Sequence, residues 1–336
     1  MNLRIQNSHV SLEVQAMAAA IAACSFRLAD GRDVAPLFLA PWRDSTDDRL
    51  RNAPPLMRHF GSDWVCVPFG TPGVRGGLPG DWSAADTPDW DGWIHGYAAN
   101  HAWRMETRGD DAITAELAYP ESSPIERVVR RISLDPSAPA VHCTLAIHAR
   151  REARLPVGLH PVFDLAGCPA GSCTLEVPTG ARAWTFPIDV EPGRSRFRPD
   201  QRDVDPRAVA TADGPADLAR VPFAGATEDL VLLTGLDGRI ALSRPDLGCV
   251  VNLVWDASRL PNCILWFSNG GRDAFPWNGT TRAIGIEPTA AAFDLGIAHS
   301  LSTETPLARA GVETAIRVTP ETPWTVDYRI EVAGLA

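Results

Sequence analysis

The sequence predicts an all-β protein in which antiparallel strands form a sandwich. Apolar and polar side chains alternate at residues 141–148, 312–318 and 326–332, and this period of two is typical of a strand with one buried face. Helical periodicity is nearly absent. Turn-forming pairs such as Asp30-Gly31 and Asp237-Gly238 separate the strand-like stretches, and the chain holds 27 glycines and 29 prolines. Many short strands divided by such turns favour a β-sandwich.

The 336 residues are predicted to form one domain, residues 1–336. Three long irregular segments interrupt the strands, at about residues 41–63, 70–91 and 189–222. Unstructured loops of this length in a compact domain are usually functional or disordered. No linker, internal repeat or low-complexity tract divides the chain, so a single continuous domain is the simpler interpretation.

The bulk composition excludes several classes of partner. The formal net charge of -10 and the sequence pI of about 5.3 argue against nucleic acid, which needs a basic face. No apolar run reaches the roughly 18 residues of a membrane helix. The seven cysteines are scattered and no basic segment opens the chain, so we expect a cytoplasmic protein with reduced thiols. We expect a monomer or a homodimer.

The sequence offers no recognisable metal or cofactor site. Cys168 and Cys173 are close in sequence, but no second pair completes a tetrahedral zinc site, so no metal is expected. There is no phosphate-cradling glycine-rich loop, no dinucleotide fingerprint and no Gly-x-Ser-x-Gly elbow. The residue inventory best permits acid/base chemistry without a cofactor.

One carboxylate and one imidazole stand out by their context. An apolar, strand-like run over residues 282–286 ends on Glu287, and Pro288 biases Glu287 toward an extended backbone. We expect the proline to close the strand and Glu287 to lie at the rim of a sheet. His160 also sits in an apolar run directly before a proline, Pro161. A carboxylate base and an imidazole acid make a catalytic pair near neutral pH, and we predict that the two face each other across a sugar pocket.

Each of these residues also has a purely structural interpretation. His160 alone reads as a core histidine at a strand end, hydrogen-bonded to a backbone carbonyl. Glu287 alone reads as a solvated carboxylate at a strand terminus.

A group of aromatic residues surrounds another histidine in the sequence. Trp90, Trp93 and Trp103 lie close to His95, and Arg75 precedes them. Indole faces suit the C–H face of a sugar ring, and His95 and Arg75 supply donors for its hydroxyls. The alternative is that the tryptophans fill the space between two sheets and that His95 is structural.

Four segments, in order, resemble the aldose 1-epimerase (galactose mutarotase) family, in its divergent branch. Residues 15–31 resemble the opening strand pair with its Asp-Gly turn, and residues 94–98 resemble the His-Gly segment, followed by Trp103. Residues 159–165 resemble the segment with the catalytic histidine, and residues 284–288 the segment with the catalytic glutamate. The resemblance spans most of the chain.

The resemblance implies a β-supersandwich of two large antiparallel sheets with a sugar site on a concave face. It implies that Glu287 is the general base and His160 the general acid of anomer interconversion, an isomerase reaction on a small sugar. His95 would bind a sugar hydroxyl or polarise the ring oxygen, with Arg75, Asp229 and Trp93 as further candidates for substrate binding.

The chain departs from the galactose-type pattern at Tyr97, where a second glycine is usual, and at Asp164. The substrate therefore stays open between a hexose, a pentose, a deoxy sugar and a sugar phosphate. A phosphate would need a cluster of arginines, and the candidates are Arg75, Arg150, Arg151, Arg154 and Arg282.

Two other functions compete with mutarotation. A non-catalytic carbohydrate-binding protein would hold a sugar in the same pocket without converting it. A glycan-cleaving enzyme would need a second acid roughly 5–9.5 Å from Glu287, and Asp164 and Asp229 are the candidates.

Overall fold

The computed structural model describes residues 2–43, 45–84 and 91–335. Strands account for most of its regular structure. In chain order they are β1 (Asn2–Gln6), β2 (Val10–Gln15), β3 (Ile21–Arg27), β4 (Asp33–Val34), β5 (Val65–Cys66), β6 (Arg104–Thr107), β7 (Ala112–Ala118), β8 (Ile125–Leu134), β9 (Ala140–Ala149), β10 (Ala153–Leu155), β11 (Val157–Leu159), β12 (Val162–Asp164), β13 (Cys173–Glu176), β14 (Arg182–Thr185), β15 (Val209–Thr211), β16 (Gly214–Ala216), β17 (Arg220–Val221), β18 (Thr227–Thr234), β19 (Arg239–Arg244), β20 (Cys249–Trp255), β21 (Asn262–Asn269), β22 (Arg282–Ala290), β23 (Ile316–Val318) and β24 (Trp324–Gly334).

Helices are few and short, as the missing helical periodicity predicts. They are α1 (Pro55–Arg58), α2 (Gly96–Asn100), α3 (Gly296–Leu301) and α4 (Pro306–Arg309), with 3-10 turns at Asp48–Asn52 and Gly80–Trp82. No helix in the described part of the chain is long and apolar enough to cross a membrane.

Two large antiparallel sheets dominate the fold, which confirms the predicted all-β class. The nine-stranded sheet has the order β17-β13-β19-β20-β24-β9-β8-β7-β6. The seven-stranded sheet has the order β14-β18-β21-β22-β11-β5, and β12 also pairs with β22. Alternate side chains of both sheets meet in one apolar core, which includes Val141 and Leu145 of β9 and Val231 and Ile286 of the smaller sheet.

The seven-stranded sheet is buried on both faces. Its second face carries Leu232, Ile264 and Trp266, and these pack under loop residues such as Trp42 and Phe60 in a second apolar cluster. Because both faces are covered, β18, β21 and β22 read as nearly continuous apolar runs rather than as alternating strands. This second face carries the candidate site.

Two of the three alternating stretches are confirmed as strands and the third only in part. Residues 141–148 lie within β9 and residues 326–332 within β24, whereas only residues 316–318 of the stretch 312–318 form a strand, β23. Residues 312–315 run instead along the exit from α4, where Val312 N–H donates to the Leu307 carbonyl.

The long irregular segments contain some regular structure. Segment 41–63 holds a 3-10 turn and α1, and segment 189–222 holds the short strands β15, β16 and β17. Segment 70–91 includes residues 85–90, and Trp90 therefore lies outside the described residues.

Candidate functional site

Strand pairing places His160 directly opposite Glu287. Strand β11 pairs with β22 through Val157↔Ala290 and Gly158↔Thr289, and β12 resumes the same register at Val162↔Gly285. Because the register is unchanged across the break at His160 and Pro161, position 160 faces position 287. Residues directly opposite in an antiparallel pair have neighbouring side chains. His160 Nε2 and Glu287 Oε1 are 3.4 Å apart.

The expectation that Pro288 closes the strand, with Glu287 at the rim, is wrong. Strand β22 continues to Ala290, and Glu287 lies well inside it, 2% exposed. Ile286 N–H donates to the Pro161 carbonyl, so the nitrogen of Pro288 faces the same side by the alternation of an antiparallel ladder. The missing N–H therefore falls beside the break between β11 and β12. His160 and Glu287 lie side by side on the floor of a cleft rather than on opposite walls.

Trp64 fixes the imidazole of His160 from the other side. His160 N–H donates to the Trp64 carbonyl at 2.9 Å, which continues the β5–β11 pairing. The indole of Trp64 stacks on the imidazole with ring centroids 4.0 Å apart and planes 21° apart. The imidazole is therefore held between a rigid aromatic face and Glu287.

Gly285 provides the space that the Glu287 carboxylate occupies. Residues 285 and 287 share one face of β22, and a Cβ on Gly285 would overlap Glu287 Oε1 and lie 3.1 Å from Trp266 Cβ. The absence of a side chain at Gly285 thus lets the carboxylate lie back along the strand toward His160.

For the anomer interconversion that the sequence resemblance implies, replacing Gly285 by alanine is expected to lower the rate about 100-fold while leaving the fold intact, because the added methyl displaces the carboxylate by on the order of 1 Å. Steady-state anomer exchange measures the effect. Gly334→Ala is the control, since a Cβ there meets nothing within 4 Å. An unchanged rate in the Gly285 variant would show that the position of the carboxylate is unimportant.

His95 reaches the same site from a loop. It has a left-handed backbone (φ 56°, ψ 19°) and precedes Gly96, whose missing Cβ allows close approach to the backbone of Val67. Its N–H donates to the Gly70 carbonyl at 2.7 Å. The imidazoles of His95 and His160 meet edge to face, with centroids 5.2 Å apart. The His-Gly segment thus docks on the end of β5 and aims a second imidazole at the first.

These groups line one cleft of about 720 Å³, including its open mouth. Its floor is the second face of the seven-stranded sheet, and its walls come from residues 54–60, the His95 loop and residues 272–277. The lining residues are Pro54, Leu56, Met57, Phe60, Trp64, Phe69, Ile94, His95, His160, Leu230, Ile264, Trp266, Arg272, Trp277, Glu287 and Asp294. Aromatic walls with a few convergent polar groups are typical of a small-molecule site.

Burial shifts the proton affinities of the site residues. Burial raises the pKa of the Glu287 carboxyl well above its usual value, the charge of Asp294 adds to this, and Arg272 opposes it. Burial lowers the pKa of His160 well below its usual value, and His95 adds to that shift. Burial also lowers the pKa of His95 to about 4, so this imidazole is neutral at pH 7. Both members of the pair therefore favour their neutral forms, an environment typical of catalytic acids and bases.

Several polar atoms of the site have no hydrogen-bond partner among the described residues. They include His160 Nδ1, His95 Nδ1, Glu287 Oε1 and Asp294 Oδ1, each shielded from solvent. Buried polar atoms are usually paired, so such unpartnered atoms around one cleft indicate that a polar ligand supplies the partners.

Arg272 forms one wall of the cleft and is held by a buried carboxylate. Its Nε lies 2.8 Å from Glu228 Oε1, and Glu228 also accepts a hydrogen bond of 2.6 Å from Trp266 Nε1. The guanidinium lies over the rings of Trp266 and Trp277, 5.4 and 5.0 Å from their centroids. One positive charge is thereby fixed beside Glu287.

The other predicted substrate-binding residues lie away from the lining. Asp229 points to the opposite face of β18, where its carboxylate accepts backbone N–H bonds from Arg196 and Phe197, and burial raises its pKa to about 7. Trp93 packs edge to face on His101. Arg75 lies over the ring of Phe186, 4.9 Å from its centroid, and its charge acts on Asp294 from beyond the lining.

The expected grouping of Trp93 and Trp103 around His95 is wrong. Trp103 lies in the core between the sheets, with its Nε1 donating to the Ala98 carbonyl. The cleft takes its indoles from Trp64, Trp266 and Trp277 instead. The tryptophans that meet in the cleft are brought together by strand pairing, so their distance from His95 in the sequence does not identify them.

Sequence reasoning missed Arg272, Asp294 and these three tryptophans. Asp294 had a usable signal, because it closes the short apolar run that follows the Glu287 strand. Arg272 lies in the Gly-rich turn between β21 and β22, where no local pattern marks it.

The arginines considered for a phosphate do not converge on the cleft. Arg151 donates to carbonyls of Ser122 and Ser123, and Arg282 donates to those of Gly279 and Thr281. Arg154 pairs in register with Arg317 across β10 and β23. None of the five candidate arginines lines the cleft, and the charge of Arg75 acts on Asp294 of the lining.

One group of possible metal ligands exists in the described residues, and none of its members lines the cleft. The ligand atoms of Cys168, Cys173 and Asp246 lie within 4.8 Å of one another. Arg244 forms an ion pair with Asp246 at 2.7 Å. This guanidinium already neutralises the carboxylate and repels a cation, so the set fits a metal poorly.

The protein has the fold of galactose mutarotase-like proteins. An aldose epimerase homologue from C. elegans superposes with a TM-score of 0.64 at 11% sequence identity, covering 100% of this chain and 99% of that one. A galactose mutarotase related enzyme from Lactobacillus acidophilus gives 0.62 at 16% identity, covering 100% and 98%. A galactose mutarotase-like protein from Clostridium acetobutylicum gives 0.63 at 15% identity, covering 99% and 95%. No protein-family model and no curated protein matches the sequence.

Proposed function

We propose that the protein is an aldose 1-epimerase, which interconverts the α and β anomers of an aldose. The observation that carries the proposal is the pairing of His160 with Glu287, 3.4 Å apart on the floor of an aromatic cleft. At 11–16% identity the similar structures establish only the fold, so the proposal rests on the site.

The reaction needs one base and one acid at the anomeric centre. The pair shares one proton. In the form that carries this proton on His160, the Glu287 carboxylate removes the proton from the anomeric hydroxyl, the bond between C1 and the ring oxygen breaks, and His160 delivers its proton to that oxygen. The open-chain aldehyde then rotates about its C1–C2 bond. Attack by the same hydroxyl on the other face of the carbonyl forms the other anomer, as the hydroxyl returns a proton to His160 and Glu287 protonates the new anomeric oxygen.

The neighbouring groups support these transfers. Neutral His95 has a free ring nitrogen to hydrogen-bond a hydroxyl or the ring oxygen. The Arg272 guanidinium stabilises the ionised form of Glu287, since its charge lowers the pKa of that carboxyl. The indole walls shield the pair and offer flat faces to a sugar ring.

The rate is expected to follow a bell-shaped pH profile, because the reaction needs one proton on the pair. Acid adds a second proton and removes the base, and alkali strips the last proton and removes the acid. The lowered pKa of His160 places the acidic limb below 6.5, and the raised pKa of Glu287 places the alkaline limb above 4.5. Proton NMR of anomer exchange at each pH measures the profile. A rate that rises steadily with pH would contradict the account.

The substrate is expected to be an uncharged aldose. The carboxylates of Glu287 and Asp294 share the cleft, and Arg272 is already paired with Glu228. A phosphate would have to displace that pairing.

A panel of aldoses tests the function directly. Pure α anomers of hexoses, pentoses and deoxy sugars are dissolved with and without the protein, and equilibration is followed by polarimetry. We expect at least one sugar to equilibrate about 100-fold faster than in buffer, the scale of one assisted proton transfer. Equilibration at the buffer rate for every sugar would reject the proposal.

The same panel separates the competing functions. A sugar that binds without faster equilibration indicates a carbohydrate-binding protein. A glycan-cleaving enzyme would release reducing sugar from a glycoside, so aryl glycosides are added. The acids first considered for cleavage, Asp164 and Asp229, do not line the cleft, whereas Asp294 does. The aryl glycosides therefore also test whether Asp294 serves as the second acid of a glycan-cleaving site.

A further inference from the structure

Asp294 is a second carboxylate of the cleft, and the mechanism above gives it no role. It follows strand β22, which carries Glu287, and it lines the cleft. Its Oδ1 is shielded from solvent and has no hydrogen-bond partner among the described residues. A carboxylate oxygen only accepts hydrogen bonds when ionised, so it needs a donor that the protein does not supply.

The backbone around Asp294 is fixed by a close crossing of two loops. The Thr71 N–H and Oγ1 both donate to the Asp294 carbonyl, at 2.7 and 2.8 Å. Gly70 and Gly296 touch at this crossing, and both have positive φ, 105° and 75°. A Cβ on Gly70 would lie 2.5 Å from Gly296 N, and one on Gly296 would overlap the Thr71 carbonyl. Neither loop can move without the other.

The same crossing also positions His95, whose N–H donates to the Gly70 carbonyl. The crossing of these two loops therefore fixes the positions of both His95 and Asp294 in the wall of the cleft relative to Glu287. Pre-organised polar groups of this kind are what a site uses to select a ligand orientation.

Charged groups face Asp294 from several sides. Burial raises the pKa of its carboxyl above the usual value, and the charges of Arg75 and Arg272 oppose that rise. Glu287 is the other acidic group that interacts with it, and His95 and His160 are the nearby imidazoles. With two arginines already acting on the carboxylate, a cationic ligand is disfavoured and a hydroxyl donor is favoured.

We propose that Asp294 Oδ1 accepts a hydrogen bond from a non-anomeric hydroxyl of the aldose and thereby determines which aldose the cleft accepts. The proposal rests on the proposed function for the identity of the ligand. In the proposed mechanism Glu287 and His160 contact the anomeric hydroxyl and the ring oxygen, so the hydroxyl that Asp294 binds belongs to another carbon of the sugar. A polar pocket of this type rejects the analogue that lacks the hydroxyl, because the carboxylate is then left unpaired.

Deoxy analogues of the preferred aldose, each lacking one hydroxyl, test the proposal. The protein, Asp294→Ala and Asp294→Asn are compared in kcat/KM for the parent sugar and each analogue. Asp213→Asn is the matched control, an exposed aspartate remote from the cleft. Thermal melting establishes that each variant is folded.

We expect Asp294→Ala to lower kcat/KM for the parent sugar about 10-fold to 100-fold, the scale of a hydrogen bond to a charged group. For one deoxy analogue, kcat/KM in the unmodified protein should already be lower than for the parent sugar by the same factor. Asp294→Ala should lower kcat/KM for that analogue no further. Asp294→Asn keeps an acceptor and should restore part of the rate. Equal losses in the variant on every analogue, or no loss on the parent sugar, would overturn the proposal.

Failure of the proposed function is distinguishable from failure of this proposal. If no aldose equilibrates faster, binding of the same sugars is followed by saturation-transfer NMR. Binding that weakens in Asp294→Ala for the parent sugar but not for one analogue still supports the role of Asp294. Binding that is unchanged by the substitution, or absent for every sugar, overturns it. If Asp294→Ala does not fold, Asp294→Asn is compared on the same analogues, and uniform behaviour across them overturns the proposal.

Discussion

Replacing Glu287 by glutamine is expected to reduce catalysed anomer exchange by about 100-fold to 10,000-fold, the range for loss of a general base. The amide has nearly the shape of the carboxylic acid but cannot take a proton from the anomeric hydroxyl. Because burial already holds the carboxyl near its neutral form, the substitution adds no buried charge, and the protein should stay folded. Polarimetry on the preferred aldose measures the effect.

Glu321→Gln is the control for this substitution, since Glu321 is exposed and lies outside the cleft. The loss should appear in kcat rather than in KM, since a hydroxyl can still bond to the amide oxygen. A Glu287→Gln protein with the full rate would remove the base from the mechanism and end the assignment.

Replacing Arg130 by methionine is expected to destabilise the protein by about 3–5 kcal/mol, the cost of leaving one member of a buried ion pair alone. Arg130 on β8 and Asp63 are both 0% exposed. Arg130 donates to Asp63 and Tyr328, and the Tyr328 hydroxyl donates to Asp63 Oδ2 at 2.7 Å. Without the guanidinium, the Asp63 carboxylate keeps only the tyrosine donor.

Urea denaturation measures this change, with Arg131→Met as the matched control because Arg131 is the next residue on β8 and is exposed. Asp63 directly precedes Trp64, which stacks on His160, so the buried pair also anchors the segment beneath the site. A midpoint shift equivalent to less than about 1 kcal/mol, the scale of an ordinary surface change, would show that the pair contributes little.

The overall architecture could be predicted because a strand with one buried face shows alternating apolar and polar residues in its sequence. In β9 the buried residues Val141, Cys143, Leu145 and Ile147 alternate with less buried ones, so both the strand and its inner face are legible in the sequence. The same holds for β24. These strands belong to the nine-stranded sheet, which has one face on the core.

For the strands of the seven-stranded sheet, the sequence does not show which residues face which side. Strand β18 runs through Glu228, Asp229, Leu230 and Val231, all buried, because loops cover its second face. The family resemblance pointed to Asp229 for the cleft, whereas alternation directs Glu228 to the cleft side, where it binds Arg272 and Trp266. When both faces of a strand are covered, the sequence does not show which of its alternate residues face the cleft.

The two residues of the proposed catalytic pair could be predicted from the sequence, but their arrangement could not. His160 and Glu287 were recognisable from their segments, yet their contact depends on which strands pair and in what register. The strand partners β11 and β22 are separated by more than a hundred residues, and no local signal specifies that pairing. The contribution of Gly285, which depends on the same face of β22, was hidden for the same reason.

The central claim is that His160 and Glu287 act as one unit, and a double-substitution cycle tests it most directly. The rate of anomer exchange is measured for His160→Gln, Glu287→Gln and the protein with both changes. Groups that work as a unit are strongly non-additive, so each single change should cost nearly as much as the two together. Losses that multiply, or a full rate in either single variant, would contradict the account.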